Sequence, residues 1–165
     1  VLIGPASDPA AIRQASDAKE ALRRIDDAKV RFVSRGDDSG TDKTERRLWA
    51  AAALQPETFD PWYKSLGMGM GASLNTAAGL NAYILADRAS WLNFGNKRTL
   101  VLLFSGDPAL FNQYAFLPIN PSRHPHVKWA AAAALEKWLA GATAKALIND
   151  YKIAGQQLFI HNAQH

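Results

Sequence analysis

Short apolar runs alternate with longer amphipathic stretches along most of this chain. The apolar runs have the length and the β-branched or aromatic content of strands, and they lie at residues 1–3, 30–33, 100–104 and 114–119. The amphipathic stretches carry apolar residues three and four positions apart, which predicts helices at about residues 17–28, 41–54, 56–66, 73–86, 125–140 and 143–153. Such alternation is typical of an α/β domain with parallel strand pairing.

Local signals add detail to this pattern. Asp8 followed by Pro9 is a typical N-cap and first helical position, so a further helix is predicted to begin there. Residues 17–28 should bury the face that carries Ala21, Leu22 and Ile25. The uninterrupted apolar run at 100–104 predicts a strand that is buried on both faces.

Composition narrows the possible functions. The 165 residues are 48% hydrophobic and 21% charged, which is enough to build a core, and the absence of cysteine excludes disulfides, thiolate catalysis and thiolate metal sites. No apolar run approaches the ~20 residues of a membrane-spanning helix, so no membrane insertion is expected. The net charge of +4 favours anionic partners, but the basic residues are scattered, so no nucleic acid partner is expected.

The loop at residues 34–41 is the clearest candidate binding site. It joins a predicted strand to a predicted helix, and it offers backbone N–H groups and the positive end of a helix dipole to an anion. Capping alone accounts for its Asp, Ser and Thr residues. Capping does not account for Arg35, a planar cation beside Ser34 at the carboxyl end of a strand, where open α/β sheets bind ligands.

The glycine-rich segment at residues 67–71 allows two interpretations. With Ala72 it matches the G-x-G-x-x-A pattern of dinucleotide-binding loops, but the residues before it predict a helix end and not the strand that such a loop follows. Gly67 is then a helix C-cap. A second anion-facing helix start, with Ser73 near its N-terminus, agrees better with these residues.

Enzymatic alternatives have weaker support. Asp38-Ser39-Gly40-Thr41 matches the D-S/T-G-S/T pattern of aspartic proteases, which need two such carboxyls, so a homodimer that uses Asp38 is the alternative enzyme. His124 and His126 lack a supporting carboxylate cluster, so no metal site is predicted. No catalytic residue is predicted.

Several segments, in order, resemble the tungstate-binding proteins of ABC importers. The resemblance is carried by residues 32–41, Trp62-Tyr63, residues 67–74, residues 82–88 followed by Trp91-Leu92, and residues 110–114 leading to Asn120-Pro121. Phosphate-binding proteins share an Arg…Ser-Gly-Thr loop and molybdate-binding proteins share the architecture. Tungstate, molybdate and phosphate therefore stay open as ligands, with tungstate favoured.

The resemblance implies a type II periplasmic-binding-protein fold, in which two α/β lobes are joined by crossing strands. On that map, residues 1–110 form the second lobe, including the first crossing strand, and residues 111–165 supply the return strand and C-terminal helices of the first lobe. The chain would then hold one complete α/β lobe plus the C-terminal part of the other. Because it begins at Val1, without an initiator methionine, we expect the N-terminal part of the first lobe and a signal peptide to lie upstream.

The resemblance also implies a function. The expected protein is a secreted, periplasmic or extracellular solute-binding protein that captures an oxyanion for an ABC transporter permease, with no cofactor and no catalytic step. Arg35 and Ser34 match family positions for oxyanion contact, and Gly36, Asp37 and Ser73 are further expected contacts. The missing half of the binding shell is expected from the N-terminal lobe or from a domain-swapped copy.

Overall fold

The structure is a computed structural model that describes residues 1–163. These residues contain a five-stranded sheet, a two-stranded hairpin and six α-helices. The strands of the sheet are β1 (Leu2–Pro5), β2 (Phe32–Ser34), β3 (Tyr63–Ser65), β4 (Tyr83–Leu85) and β5 (Leu100–Phe104). The hairpin consists of β6 (Lys152–Ile153) and β7 (Gln156–Gln157). The helices are α1 (Ala18–Ala28), α2 (Gly40–Ala51), α3 (Met70–Leu80), α4 (Arg88–Asn93), α5 (Trp129–Leu139) and α6 (Ala142–Asp150). Short 3-10 helices lie at Ile12–Gln14, Pro56–Thr58 and Pro108–Leu110.

The main sheet is mixed and has the strand order β3-β2-β4-β1-β5. The central strand β2 pairs in parallel with β3 and with β4, so that Phe32 lies opposite both Tyr63 and Tyr83. β1 runs antiparallel to β4 and β5. The α/β class is therefore confirmed, whereas parallel pairing throughout was wrong for β1. The carboxyl ends of β2, β3 and β4 meet at one edge of the sheet.

Helices cover both faces of this sheet because successive strand residues face opposite sides. Leu2 and Phe32 belong to a buried cluster with the apolar residues of α1 and α2. Their chain neighbours Ile3 and Val33 belong to a second cluster, with the apolar residues of α3 and with Trp91 of α4. The two helical layers therefore hold the strands in place, together with the loops that follow them.

A group of aromatic rings ties α2 to the strands. The indole of Trp49 on α2 is fully buried, and its ring centroid lies 5.3 Å from that of Phe32, 5.0 Å from Phe59 and 6.2 Å from Trp62. Phe32 of β2 in turn stacks on Tyr63 of β3, with centroids 5.7 Å apart. This packing sets β3 beside β2 and holds α2 over both strands.

The chain divides into two compact units, Val1–Asn112 and the residues from Gln113 onward. In the second unit, His161 bridges two helix ends: its backbone N–H donates to Asn149 Oδ1 at 2.9 Å, and its ring Nε2 lies 2.6 Å from the Leu139 carbonyl oxygen. Many large apolar side chains of this unit are exposed, namely Tyr114, Phe116, Leu117, Ile119, Trp129, Leu135, Trp138, Leu147, Tyr151, Phe159 and Ile160.

Two predicted helices each include residues that form a strand: the first is wrong as a helix, and the second is confirmed only up to Leu80. Residues 56–66 form a single 3-10 turn followed by β3, whose three residues are too few for a period of two to show. The helix predicted at 73–86 begins at Met70 and ends at Leu80, where Asn81 adopts a left-handed conformation with φ of 51°. The apolar residues after Asn81 then form β4.

Two other predicted elements do not form. Asp8 has φ of 44° and does not begin an α-helix; its carboxylate instead accepts the backbone N–H groups of Ile12 and Arg13. Residues 114–119 carry no strand, and no strand of the described residues pairs with them. An extended segment without a neighbouring strand makes no ladder hydrogen bonds, so its apolar pattern alone does not hold it in a sheet.

Other predictions from the pattern are confirmed. Helix α1 begins after its N-cap Asp17, and it buries Ala21, Leu22 and Ile25 as expected. Strand β5 has the predicted bounds, but the prediction that it is buried on both faces was wrong, because β5 lies at the edge of the sheet and three of its five residues are only partly buried.

None of the helices in residues 1–163 is both long and apolar enough to cross a membrane.

Replacement of Gly4 should test the packing between β1 and its neighbours. A Cβ at Gly4 would lie 2.5 Å from Tyr83 Cδ1 and 2.7 Å from Leu103 Cδ1, so Gly4→Ala should lower the free energy of unfolding by about 1–3 kcal/mol. The matched control is Gly79→Ala in α3, where a Cβ meets nothing within 4 Å and where alanine should add up to ~1 kcal/mol of helix stability. Urea unfolding of both variants measures these effects, and equal stabilities would contradict this packing.

Candidate functional site

Two loops lie side by side where β2 and β3 end. We call residues 35–39, which follow β2, the arginine loop, and residues 66–69, which follow β3, the glycine loop. The Leu66 N–H donates to the Ser34 carbonyl oxygen at 3.1 Å, and the Met68 N–H donates to the Arg35 carbonyl oxygen at 3.0 Å. These two bonds continue the strand pairing into the loops. They bring the starts of α2 and α3 to the same edge of the sheet.

Arg35 holds an unused hydrogen-bond donor at this edge. Its side chain is only 16% exposed, and Nη2 donates to Asp37 Oδ2 at 2.5 Å. Its Nε is buried and has no hydrogen-bond partner among the residues that the structure describes. A buried donor without an acceptor is costly, and buried polar groups in native proteins are nearly always paired. The guanidinium therefore marks a place for an acceptor.

The N-terminus of α3 supplies a second set of donors. Its N-cap is Gly69, which has no side chain to accept a hydrogen bond from the first turn. The backbone N–H groups of Met70, Gly71 and Ala72 have no acceptor within the helix, and the positive end of the helix dipole lies there. A Cβ at Gly69 or Gly71 would meet nothing within 4 Å, so the helix start is open to an approaching group.

Ser73 lies behind the glycine loop and not at the start of the helix. It is fully buried, and its hydroxyl lies 3.2 Å from the Met68 carbonyl oxygen and 3.1 Å from that of Gly69. Its proton is therefore committed to the loop backbone. The helix begins three residues earlier than expected, so the available amides are those of its true first turn.

Gly36 and Ser34 also have acceptors inside the protein. The Gly36 N–H donates to Asp42 Oδ1 at 3.2 Å, and the Ser34 hydroxyl lies 3.5 Å from the same oxygen. Asp42 is the residue that sequence reasoning missed. The available signal was its position three residues after the N-cap Ser39, where an acidic side chain typically reaches back to loop amides.

Asp37 holds Arg35 in place. Its carboxylate accepts the Arg35 guanidinium and, at 3.3 Å, the Ser39 N–H. Hydrogen bonds from Ser39, together with the Arg35 guanidinium, lower the pKa of Asp37. An ionised carboxylate is an acceptor only, so Asp37 accepts donors of its own loop and offers no donor to an oxyanion.

Asp38 does not resemble the carboxyl of an aspartic protease. Its side chain is 86% exposed, and it pairs with Lys43 at 3.3 Å. The protease dyad depends on two adjacent carboxyls that share a proton, whereas the Asp38 carboxylate faces solvent and pairs with a lysine. The alternative that used Asp38 therefore has no structural support.

A second buried carboxyl lies beneath the loops. Glu45 of α2 is 1% exposed, and its Oε1 accepts hydrogen bonds from the Tyr63 hydroxyl at 2.7 Å and from Trp49 Nε1 at 3.2 Å. Burial raises the pKa of Glu45 to about 7, and it also raises the pKa of Tyr63. Glu45 therefore joins α2 to β3 directly below the arginine loop.

A strand, β3, does precede the glycine loop, so the helix end predicted there, which disfavoured a dinucleotide site, was wrong. The arrangement of strands disfavours that site for another reason. The dinucleotide pattern also needs an acidic residue about 20 positions further on, after an adjacent parallel strand; the next acidic residue here, Asp87, follows β4, and β2 lies between β3 and β4. The Asp87 carboxylate also caps α4 by accepting the Ser90 N–H at 2.8 Å.

The described residues contain no group of three or more His, Cys, Asp or Glu side chains placed to hold a metal ion.

Comparison with known proteins places this arrangement in a family. A model described as a PBP superfamily domain matches residues 1–143. The tungstate-binding protein TupA of Peptoclostridium acidaminophilum is 38% identical over 167 residues, which cover 99% of this chain and 58% of that protein. The TupA of Campylobacter jejuni is 34% identical over 88% of this chain and 55% of its own length. The chain therefore spans about half the length of the curated relatives that it matches.

A solved structure shows the same likeness in three dimensions. The tungstate-binding protein TupA from Desulfovibrio alaskensis G20 superposes with a TM-score of 0.88 at 37% identity, covering 99% of this chain and 67% of that one.

The buried Glu45 should make stability depend on pH. Its pKa of about 7 in the folded protein lies above the ordinary value of 4.5, so the folded state holds the proton more tightly. The contribution of Glu45 to the free energy of unfolding should therefore be greatest below about pH 4.5. It should fall as the pH rises to 7, by up to roughly 3 kcal/mol. Glu45→Gln keeps an oxygen for Tyr63 and Trp49, and it should be more stable than the wild type at pH 8 but not at pH 4.5.

Urea unfolding at both pH values measures this difference. Asp27→Asn, which removes a carboxyl from an exposed position on α1, is the matched control and should leave the pH dependence unchanged. A wild-type profile as flat as that of Glu45→Gln would contradict the burial of a titrating carboxyl.

Proposed function

The chain belongs to the PBP superfamily, and on that premise we propose that it forms part of an extracytoplasmic solute-binding protein that captures a tetrahedral oxyanion for an ABC importer. Tungstate is the ligand we propose first. Two relatives that match 99% of the chain, at 38% and 37% identity, are named tungstate-binding proteins, which supports this choice. The role is binding without a catalytic step.

The unpaired Nε of Arg35 is the observation that carries this proposal. An oxyanion beside Arg35 would accept a charge-assisted hydrogen bond from a donor that otherwise stays buried and unsatisfied. The first-turn amides of α3, next to the same loop, would donate to its other oxygens. In this proposal Arg35 contacts the ligand, whereas Ser34, Gly36, Asp37 and Ser73 hold the two loops in shape.

The donors at this edge favour a fully deprotonated anion. Arg35 and the α3 amides can only donate, and the nearby Asp37 carboxylate already accepts bonds from Arg35 and Ser39. Hydrogen phosphate carries a proton that needs an acceptor, whereas tungstate and molybdate are tetrahedral dianions without one. We therefore propose tungstate or molybdate over phosphate, and no cofactor beyond this ligand.

The chain supplies one wall of the proposed cleft. We propose that residues 1–110 form the second lobe and that residues from 111 onward belong to the first lobe. The remainder of the first lobe would come from a polypeptide equivalent to the part of the relatives that the chain does not span, or from a domain-swapped copy. The exposed apolar side chains after Gln113 support such a covering partner. A closed two-lobed form would then be the state that the ABC transporter permease binds.

Calorimetric titration with tungstate, molybdate, sulfate and phosphate tests the proposed ligand. Tungstate and molybdate should bind more tightly than phosphate. Arg35→Ala should weaken tungstate binding roughly 10- to 100-fold, since a hydrogen bond to a charged group contributes about 1.5–3 kcal/mol. Arg47→Ala removes the same charge from an exposed position on α2, and it should leave the affinity within about twofold. Heat from phosphate alone, or unchanged binding by Arg35→Ala, would contradict the proposal.

The proposed covering partner can be tested on the chain alone. Light scattering should show self-association at micromolar concentration, and a dye that fluoresces on apolar surfaces should bind, because the second unit exposes many large apolar side chains. Replacing Leu117 and Leu147 with Ser should reduce both signals. A monodisperse monomer that binds no dye would argue against a covering lobe.

A further inference from the structure

Asp42 places a buried negative charge inside the proposed anion site. Its side chain is 1% exposed, and its two carboxylate oxygens accept different backbone N–H groups: Oδ1 accepts Gly36 at 3.2 Å and Oδ2 accepts Asp38 at 3.2 Å. On the solvent side, Arg46 Nε lies 3.3 Å from Oδ2. One carboxylate thus holds both ends of a three-residue segment of the arginine loop.

We call the two hydrogen bonds from the amides of residues 36 and 38 to the Asp42 carboxylate the clamp. The backbone of this segment explains why the clamp is needed. Gly36 has φ of 60° and Asp38 has φ of 58°, and left-handed backbone is unfavourable for a residue that carries a side chain. Gly36 also packs so closely on β3 that a Cβ at this position would clash with Ser65 Oγ. Loop amides in such conformations form a concave set of donors that binds anions. Here an anion from the protein itself occupies that set.

We propose that Asp42 is a positioning residue of the oxyanion site. Its carboxylate acts as an internal anion that occupies the amides of the arginine loop. It thereby holds Arg35 toward the ligand and leaves the α3 amides, not the loop amides, for the external oxyanion. This inference rests on the proposed function for its ligand, whereas the clamp itself is a property of the loop.

Electrostatics and positioning make opposite predictions for Asp42. If Asp42 acted only through its charge, its removal would favour an anion nearby and raise the affinity. If Asp42 positions the loop, its removal frees Gly36 and Asp38 and loosens Arg35, which lowers the affinity. Asp42→Asn is the informative change because it removes the charge and replaces one of the two acceptors with a donor.

Calorimetry with tungstate on Asp42→Asn provides the first measurement. We expect a loss of affinity of roughly tenfold, the effect of about one lost charge-assisted hydrogen bond. Asp38→Asn is the matched control, since it removes a carboxylate from the same loop at an 86% exposed position, and asparagine tolerates left-handed backbone. It should bind tungstate as tightly as the wild type or slightly more tightly. Tighter binding by Asp42→Asn would overturn the proposal.

Amide hydrogen exchange provides a second measurement that needs no ligand. In the wild type, the Gly36 amide should exchange at least tenfold more slowly than the Gly71 amide, which has no acceptor within α3, and Asp42→Asn should remove the difference. Equal exchange at Gly36 and Gly71 in the wild type would overturn the clamp, even where the variant does not fold. If tungstate does not bind but the Gly36 amide is protected from exchange, the proposed ligand is wrong, whereas the clamp is supported.

Discussion

The parallel pairing of β2 with β3 on one side and with β4 on the other determines where the candidate groups of this protein lie. Because these strands run in the same direction, their carboxyl ends meet at one edge, and the chain must leave that edge each time through a loop and a helix start. Arg35 follows β2, and the open N-terminus of α3 follows β3. Without this pairing, the guanidinium and the α3 amides would not be neighbours.

The charges around this edge show why net charge describes the site poorly. Asp37, Asp42 and Glu45 all lie near a site proposed for an anion, although the chain as a whole carries +4. Each carboxyl is compensated locally: Asp37 pairs with Arg35, Asp42 accepts two loop amides and pairs with Arg46, and burial favours the neutral form of Glu45 below about pH 7. Donors that remain unpaired, and not the overall charge, therefore define where an anion fits.

The two compact units have different surfaces. The first unit buries its apolar residues in two clusters on either face of the sheet. Up to residue 163, the second unit contains two α-helices and a hairpin, and it exposes most of its large apolar side chains. Contiguous exposed apolar surface of this kind typically marks an interaction site. This contrast agrees with a chain that matches only about half the length of its relatives.

The sequence by itself determined the α/β class, helix α1, strand β5 and the family to which the chain belongs, because each of these depends on local or ordered signals. The helical spacing of apolar residues predicted that α1 buries Ala21, Leu22 and Ile25, and the continuous apolar run at 100–104 predicted β5. The same reasoning selected Arg35 as a candidate binding residue, since a guanidinium at the end of a strand has no role in helix capping.

Only the tertiary structure decided which of the candidate donors are free. β3 and β4 are three residues each, too short to show a period, and they form because Tyr63 stacks on Phe32 and because β2 offers both of its edges. The hydrogen-bond partners of Ser34, Gly36 and Ser73 depend on the fold for a similar reason. A hydroxyl or an amide looks the same in a sequence whether or not the fold supplies an acceptor, and here Asp42 and the glycine loop supply it.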